Sequence, residues 1–349
     1  MNRAYHSNTS VNWKLWAGLI ISALFLYLAF RGVDLHRIWL SIRTSDPFLI
    51  VLVVLITFFQ YIIRSWRWRL FLDPIKRTGF ANRFFSVLIG FAANCILPAR
   101  LGEWIRANYL GKRESISVSS ALGTLVIERL FDGFTLLLIL LIGLLGTTFT
   151  DEFIKMSGTL RATGLSLFIS YNLIIIFILG FKYRTRLFLK FVERILFFLS
   201  PRLRSRIIAV IWNFSLGLVP LTSIHAWIFS IFYSFLLWFS CLYQIQLIEY
   251  SLGLSLPFIA TFLIMAMASF GVMIPSAPGF IGTFHLAVQY GFLFYGLTRE
   301  EALTAAILWH ATFFFPTILF GLFAFLWLQM SYSRSPEKSP GGLKEVLKS

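Results

Sequence analysis

Charged residues are scarce in this chain. Asp, Glu, Lys and Arg make up 13% of its 349 residues, while 58% of the residues are hydrophobic. Soluble domains carry about 25% charged residues, and a chain with so few cannot cover a water-facing surface with charge. The composition therefore excludes a soluble globular protein and predicts an all-α polytopic membrane protein.

Acidic residues are especially few. Against 31 Lys and Arg there are 15 Asp and Glu, which gives a net charge of +16. A basic excess indicates nucleic-acid binding only where a soluble domain presents a basic face, and this sequence offers no such domain. We therefore predict no nucleic-acid partner.

Residues that build metal and redox sites are also rare. The two cysteines, Cys95 and Cys241, lie in separate apolar runs without C-x-x-C spacing, and the five histidines form no paired metal-binding motif. The sequence contains no Walker A loop. It therefore predicts no disulfide, no metal, no cofactor and no direct use of ATP.

Long apolar runs dominate the sequence instead. A membrane-spanning helix needs about 20 mostly apolar residues. Six segments meet this requirement: Trp13–Phe30, Phe48–Phe71, Ser119–Thr148, Thr163–Phe181, Ser223–Gln246 and Ala302–Met330. They define one predicted transmembrane domain, residues 13–330, between a cytoplasmic N-terminal tail (1–12) and a polar cytoplasmic tail (331–349) that we expect to be disordered.

Two further apolar stretches are interrupted by helix-breaking residues. Arg83–Leu110 contains Pro98 and Gly102 near its middle. Pro257–Leu297 contains two prolines and two glycines between residues 275 and 282. Because proline kinks or breaks a helix, each stretch is predicted to form two half-helices.

Loop charges predict how the chain is threaded through the membrane. Lys and Arg accumulate in cytoplasmic loops, and segments 64–83 and 182–206 carry net charges of +5 and +7. Four other loops total −1: residues 31–47, 149–162, 247–256 and 298–301. This distribution requires both interrupted stretches to be re-entrant hairpins that open to opposite faces, with both termini in the cytoplasm. The alternative is a plain bundle of eight helices, two of them kinked.

The two hairpins occupy corresponding positions in the two halves of the chain, which predicts an inverted repeat. Paired discontinuous helices mark substrate sites near the bilayer midplane of transporters. The sequence therefore favours a transport function for a multi-pass protein of the cell (inner) membrane.

The first candidate site lies at the tip of the first hairpin. Asn94 precedes the break, and Arg100, Glu103 and Arg106 follow it. Glu103 and Arg106 are three residues apart and can pair on one helical face, which leaves Arg100 without a local partner beside a half-helix N-terminus. Such a position favours an anion, for example a lipid phosphate. The alternative is that these side chains only hold the hairpin together.

The second candidate site lies within an otherwise apolar segment and comprises Glu128, Arg129 and Asp132. Glu128 and Asp132 share a helical face, and the three side chains sum to −1. A charge within the membrane costs about 2.5–3.5 kcal/mol on an insertion scale, so a cation such as Arg100 or Arg106 should neutralise the surplus. The two clusters are expected to form one buried network, with a purely structural role as the alternative.

The break in the second hairpin carries no charge. Gly279 and Gly282 allow close approach of the backbone, and Thr283 follows them. Free N–H groups at these three residues are candidates to bind phosphate, unless a neighbouring helix satisfies them. His285 and His310 are expected to be packed core residues.

Three of these motifs together resemble those of a known family. They are the L-P-A-R-L-G-E stretch at 97–103, the E-R-x-x-D pattern at 128–132 and the P-G-F-I-G-T-F loop at 278–284. They are similar to the flippase-like family, which comprises the transmembrane region of lysylphosphatidylglycerol synthases and stand-alone relatives of uncharacterised protein family 0104. Arg67-Trp68 also fits this resemblance, which extends over about residues 13–330.

The resemblance implies a function. In the synthases, this region is held to move aminoacylated lipid from the inner to the outer leaflet, and the stand-alone relatives are linked to glycolipid, hopanoid or polyprenyl-linked sugar pathways. No aminoacyl-transferase domain follows residue 330. The resemblance therefore argues against synthase activity in this chain.

We therefore predict a non-enzymatic protein that translocates an anionic phospholipid or a lipid-linked headgroup between leaflets. Phosphate would be held by Arg100, Arg106 and Arg129, with charge balance from Glu103, Glu128 and Asp132. One alternative is an accessory subunit that presents a membrane lipid (anionic phospholipid, glycolipid or polyprenyl-linked lipid) to a membrane glycosyltransferase or lipid-modifying enzyme. Another is an intramembrane enzyme that uses two carboxyl groups as acid and base.

Overall fold

The computed structural model describes residues 13–97, 100–146, 151–219 and 223–333, and all regular structure in these ranges is helical. The α-helices are α1 (Trp13–Phe30), α2 (Leu35–Thr44), α3 (Pro47–Leu72), α4 (Phe80–Ile96), α5 (Gly102–Glu114), α6 (Val118–Gly146), α7 (Asp151–Tyr183), α8 (Thr185–Ile195), α9 (Pro201–Gly217), α10 (Ile224–Ser251), α11 (Ala260–Met273), α12 (Thr283–Leu293) and α13 (Arg299–Ser333). The all-helical prediction is confirmed for this part of the chain. The predicted tails lie outside it, apart from residues 331–333, which continue α13.

Four helices are long and apolar enough to cross a membrane. They are α3, α10, Gly158–Tyr183 of α7 and Arg299–Met330 of α13, and each matches a predicted span. Helices α1 and α2 are bent by 84° relative to each other and together add at most one more span. The segment predicted as Ser119–Thr148 forms the 29-residue helix α6, which is not among these candidates. The structure thus supports a multi-pass membrane protein with four to five candidate spans, short of the predicted six.

Polar residues at the helix starts fix where the helices begin. The Asp46 carboxylate accepts a hydrogen bond from the Phe48 N–H, and Pro47 occupies the first position of α3. Asp34 caps α2 in the same way. These caps satisfy backbone donors that have no partner within the helix, so α2 and α3 are separated by a tight connection rather than fused.

Helices α4 and α5 form an antiparallel hairpin. Near one end, Glu114 of α5 accepts hydrogen bonds from the Gly79 N–H at 2.9 Å and the Asn82 amide at 2.7 Å. Near the other end, the Gly102 N–H donates to Asn94 Oδ1 at 2.8 Å. The first interrupted stretch therefore folds back on itself instead of continuing in one direction.

Helices α11 and α12 form a second antiparallel hairpin. A Cβ built on Gly271 would lie 2.7 Å from the Ala287 Cβ, and one built on Gly291 would lie 3.1 Å from the Ile264 Cα. The pair Gly271 and Ala287 lies near the turn between α11 and α12, and the pair Ile264 and Gly291 lies far from it, as in an antiparallel hairpin. The second interrupted stretch also folds back, so neither is the kinked continuous helix of the eight-helix alternative.

The packing of α3–α6 is repeated by α10–α13. Helix α4 packs on α13 as α11 packs on α6, and α5 packs on α6 as α12 packs on α13. Backbone conformation recurs as well, because Arg100 (φ 54°) and Phe280 (φ 58°) each stand two residues before a glycine, Gly102 or Gly282. The two halves therefore share one arrangement of helices.

Helices α3 and α10 lie against each other in opposite directions. At the start of α3, the Asp46 N–H donates to the Ser251 carbonyl at the end of α10, at 2.9 Å. Toward the end of α3, Arg67 donates to Ser234 Oγ in the earlier part of α10, also at 2.9 Å. These two helices correspond to each other in the repeated arrangement. Superposing one half on the other places α3 on α10. Because these two helices are antiparallel, the two halves point in opposite directions along the helix axes.

The close contact inside the first hairpin makes Gly102 intolerant of a side chain. A Cβ there would overlap the Gly90 carbonyl oxygen. We therefore expect Gly102→Ala to lower the free energy of unfolding by about 1–3 kcal/mol or more, the usual cost of an overpacked site. Gly180→Ala is the matched control, since nothing lies within 4 Å of its added Cβ. Folded protein surviving graded heating in mild detergent measures both. Equal behaviour of the two variants would contradict the described α4–α5 contact.

Candidate functional site

The middle of α6 is enclosed by other helices. Helices α3, α5, α7, α9, α10 and α11 all pack against α6, and the Glu128 side chain is fully buried while that of Asp132 is 9% exposed. Buried carboxylates are stable only when they are paired and hydrogen-bonded. Their partners come from α3, α5 and α6 itself.

Arg106 of α5 is the principal partner of Glu128. Its two terminal nitrogens donate to the two Glu128 oxygens at 2.9 and 3.0 Å, the bidentate geometry that makes an arginine–carboxylate pair strong. The predicted contact between the two charged clusters is thus confirmed. The predicted local pair of Glu103 with Arg106 is wrong, because Arg106 turns inward and Glu103 instead lies 3.4 Å from Arg129.

Packing around Arg106 fixes its orientation. The Trp68 ring lies 3.9 Å from the guanidinium carbon, and the Trp68 Nε1–H donates to Thr124 Oγ1 at 2.8 Å. Gly90 of α4 leaves the space that the Arg106 Cβ fills. Stacking, hydrogen bonding and close packing together hold this side chain, which is 1% exposed, toward Glu128.

Arg67 of α3 is a site residue that the motif analysis did not assign. Its Nη1 donates to Asp132 Oδ1 at 2.6 Å, and its Nη2 lies 3.6 Å from Glu128 Oε1. Arg64, one helical turn earlier, lies 3.9 Å from Asp132. The charge count placed both arginines in a cytoplasmic loop, yet α3 continues to Leu72. The signal available in the sequence was the need for more cations beside two membrane-buried acids.

Arg129 connects this network to the surface. It donates to Glu128 Oε1 at 2.8 Å and lies 3.3 Å from Asp132 and 3.4 Å from Glu103. Its side chain is 38% exposed and that of Glu103 is 26% exposed, against 14% or less for the other side chains of the network. An ion that approaches the network from outside would therefore meet Arg129 first.

The network carries more positive than negative charge. Its ion pairs join Arg64, Arg67, Arg106 and Arg129 to Glu103, Glu128 and Asp132, which leaves a surplus of one positive charge. The Nε groups of Arg67, Arg106 and Arg129 have no hydrogen-bond acceptor within the described ranges. The surplus charge therefore favours binding of an anion at the exposed end of the network.

Arg100 lies outside the ion-pair network, at the exposed tip of the first hairpin. Its Nη2 donates to the Val272 carbonyl at the end of α11 at 3.1 Å, and its guanidinium carbon lies 6.0 Å from the Phe280 ring. Arg100 thus joins the two hairpin tips. Asn94 accepts the Gly102 N–H and so supports the start of α5 within the same hairpin.

The glycines of the second hairpin are in contact with the protein itself. A Cβ on Gly279 would lie 2.5 Å from the Phe314 ring, and one on Gly282 would lie 2.5 Å from the Ser22 carbonyl oxygen. Thr283 is buried and donates to Ser276 Oγ at 3.2 Å. The structure does not bring these three residues into the arginine–carboxylate network.

His285 of α12 and His310 of α13 are packed in the core, as predicted. His310 Nε2 hydrogen-bonds the Gly279 carbonyl at 2.7 Å, and His285 Nδ1 accepts from the Gly282 N–H at 3.4 Å. Both rings contact Phe284. They therefore secure the tip of the second hairpin against α13.

Comparison with known proteins bears out the family resemblance. A UPF0104 membrane protein of Methanocaldococcus jannaschii is 32% identical over 117 residues, 33% of this chain and 35% of that protein. A UPF0104 membrane protein of Methanothermobacter thermautotrophicus is 22% identical over 250 residues, 69% of this chain and 74% of that protein. Glycosyltransferase AglD of Haloferax volcanii is 29% identical over 156 residues, 43% of this chain and 24% of that protein.

The matches to the first and last of these relatives are partial, spanning about a third of the Methanocaldococcus protein and about a quarter of AglD. The profile of the lysylphosphatidylglycerol synthase transmembrane region, in contrast, matches residues 15–321. Since this match covers most of the chain, the protein belongs to the lysylphosphatidylglycerol synthase transmembrane-region family.

Proposed function

We propose that this protein translocates an anionic phospholipid or lipid-linked headgroup between the leaflets of the cell (inner) membrane. The observation that carries the proposal is the surplus positive charge of the buried network, which reaches the surface at Arg129. Charged groups at membrane depth are costly and mark substrate or ion pathways. A lipid phosphate is the anion that a membrane supplies in quantity.

The proposed membrane arrangement has six spanning helices and two re-entrant hairpins that open to opposite faces. The reversal of direction between the two halves supports it, and so does the strongly basic segment 182–206, which then faces the cytoplasm. In this arrangement α6 spans the membrane in addition to the five candidate spans, and both termini are cytoplasmic. The hairpin tips, joined by Arg100 and Val272, would meet within the bilayer.

In this proposal the site residues have different tasks. Arg100 and Arg129 are the exposed cations that would contact phosphate, since arginine presents a planar fork of donors that matches phosphate oxygens. Arg106 holds Glu128, while Glu103 and Asp132 balance charge. The remaining candidates shape the hairpins: the Asn94 side chain supports the first, and Gly279, Gly282 and Thr283 shape the tip of the second.

We infer that the protein is not an enzyme. An acid–base catalyst must exchange a proton with its substrate, whereas Glu128 and Asp132 each accept a hydrogen bond from a buried arginine. Ion pairing of this kind stabilises the charged form of a carboxylate and opposes its use as an acid. Translocation requires no such proton transfer.

A second candidate is an accessory role, in which the protein presents its lipid to a membrane glycosyltransferase or lipid-modifying enzyme. The similarity to part of glycosyltransferase AglD favours this alternative. The accessory role predicts that the lipid stays in its original leaflet. Translocation predicts that the lipid changes leaflet without any partner.

Comparison of cells with and without the protein tests the proposal. Lipids of each leaflet, separated by their access to a membrane-impermeant label and identified by mass spectrometry, should show an anionic lipid depleted from one leaflet and accumulated in the other when the protein is missing. An unchanged leaflet distribution of every anionic lipid would contradict translocation. A fall in a glycosylated product with unchanged leaflet distribution would favour the accessory role.

Arg100 should be required for function but not for folding. Its side chain is exposed and makes one hydrogen bond to a carbonyl, so Arg100→Ala should leave membrane abundance nearly normal while the leaflet distribution becomes that of cells without the protein. Arg100→Lys should restore it only in part, because an ammonium lacks the bidentate fork. A normal distribution in the alanine variant would remove Arg100 from the site.

A further inference from the structure

Glu249 is a buried carboxyl group that the arginine–carboxylate network does not use. The apolar run in the sequence ends at Gln246, which placed Glu249 in an external loop. Helix α10 instead continues to Ser251, and the Glu249 side chain is fully buried. An ionisable side chain within a membrane protein helix is a functional candidate by default.

The partners of Glu249 are few and uncharged. Its Oε2 accepts a hydrogen bond from Gln246 Nε2 at 2.8 Å, and the Leu256 backbone N–H is a second, uncharged donor near the carboxyl group. Among the described residues, no donor makes a hydrogen bond of ordinary geometry to Oε1. Glu128, in contrast, has three arginines within 3.6 Å. The surroundings of Glu249 thus lack what stabilises a buried carboxylate.

The helices packed on α10 bring no cation to Glu249. Helix α11 contains no titratable residue, and the charged residues of α6 lie beside Ser234, 15 residues or about 22 Å away along α10. On α3, the charged group at this end is Asp46, whose N–H contacts Ser251, and its arginines lie toward the opposite end. On α10 itself the titratable neighbour, Tyr250, is exposed.

Helix α13 carries charges near this end, but they have other partners. Arg299 donates to the Arg31 carbonyl at 3.3 Å. Glu300 and Glu301 accept hydrogen bonds from backbone N–H groups. No ion pair to Glu249 is formed in the described part of the chain.

We infer that Glu249 is a proton-binding site and that it carries a proton in this conformation. An ionised carboxylate that is enclosed without a cation costs far more free energy than the neutral acid, so burial at this place requires the proton on one carboxyl oxygen. Loss of that proton leaves a charge that has to be hydrated. The structure then has to open around α10 and the segment after it.

The position of Glu249 connects proton binding to the second hairpin. Gln246, its hydrogen-bond partner, also donates to the Leu256 carbonyl at 3.4 Å in the loop that leads to α11. The far end of α11 accepts the hydrogen bond from Arg100 through Val272. The proton is therefore a coupling ion for movement of this hairpin, a role that rests on the proposed function, whereas proton binding itself does not.

Infrared difference spectroscopy of the purified protein tests proton binding without any transport assay. In an ester-free detergent, a change from neutral to alkaline pH should remove a protonated-carboxyl C=O band from the wild-type spectrum. Glu249→Gln, which has the shape of the protonated acid, should lack this band at both pH values. Glu193→Gln, which changes an exposed acid on α8, is the matched control and should keep it.

Heat stability gives a second, independent measure. Since the folded state holds the proton, its stability is present at low pH and is lost as pH rises and the buried carboxyl is forced to ionise. An unfolded glutamate ionises at about pH 4.3, so the apparent melting temperature of the wild type should fall by several degrees from about pH 5 to mildly alkaline pH, and Glu249→Gln should reduce that fall. A wild-type band that survives in Glu249→Gln, or the same pH dependence in both proteins, would overturn the proposal whether or not lipid translocation is observed.

Discussion

Arg106→Gln is expected to be among the most destabilising single substitutions in this protein. It removes the bidentate partner of the fully buried Glu128, which keeps only single contacts to Arg129 at 2.8 Å and Arg67 at 3.6 Å. Breaking a buried ion pair by removal of one partner costs up to about 3–5 kcal/mol. Glu128→Gln should be similarly harmful because it strands Arg106. Folded protein that survives graded heating in mild detergent measures each loss.

The double variant Arg106→Gln with Glu128→Gln should be less destabilised than the sum of the two single losses. Groups that share one buried ion pair couple by about 0.5–3 kcal/mol in such cycles, and this pair is bidentate. Arg37→Gln is the control, since Arg37 pairs with Asp34 at 3.6 Å on the exposed surface and should lose almost nothing. Additive losses for Arg106 and Glu128 would contradict the buried pair.

Arg129→Gln is expected to reduce lipid translocation by about tenfold or more while the protein remains folded, because a hydrogen bond to a charged group contributes about 1.5–3 kcal/mol. The acids beside Arg129 would keep their other partners, since Arg106 holds Glu128 and Arg67 holds Asp132. Translocation in reconstituted vesicles, normalised to the amount of folded protein, measures the effect. Arg206→Gln, an exposed basic residue of α9, controls for general loss of positive charge. Equal rates in both variants would exclude Arg129 from the site.

Two features of the structure could be predicted because they follow from local rules. Proline and glycine inside an apolar stretch break a helix, and each interrupted stretch is indeed divided into two helices. Two acids and one base in an apolar helix require a further cation, and Arg106 supplies it to Glu128. In each case, leaving a backbone group or a charge unsatisfied in lipid costs so much free energy that few local structures are possible.

The features that were missed depend on where helices end and on contacts distant in sequence. Arg67 lies within the predicted span Phe48–Phe71 but was counted with the basic segment 64–83, and Glu249 lies just beyond the run that ends at Gln246. Counting charges thus assigned both residues to loops, although α3 and α10 extend past them. Helical spacing permits Glu103 to pair with Arg106, but it does not reveal that Glu128 offers Arg106 a more enclosed, bidentate partner. The contact of Arg100 with Val272 joins residues 172 positions apart, which no local pattern encodes.

Translocation of lipid by the purified protein tests the central claim most directly. Vesicles reconstituted with the wild-type chain should move a labelled phosphatidylglycerol from one leaflet to the other, as measured by access of a membrane-impermeant quencher, faster than protein-free vesicles and faster than they move the matching phosphatidylcholine. The preference for the anionic lipid should shrink in Arg129→Gln. An anionic lipid that crosses no faster with the protein than without it would contradict the account.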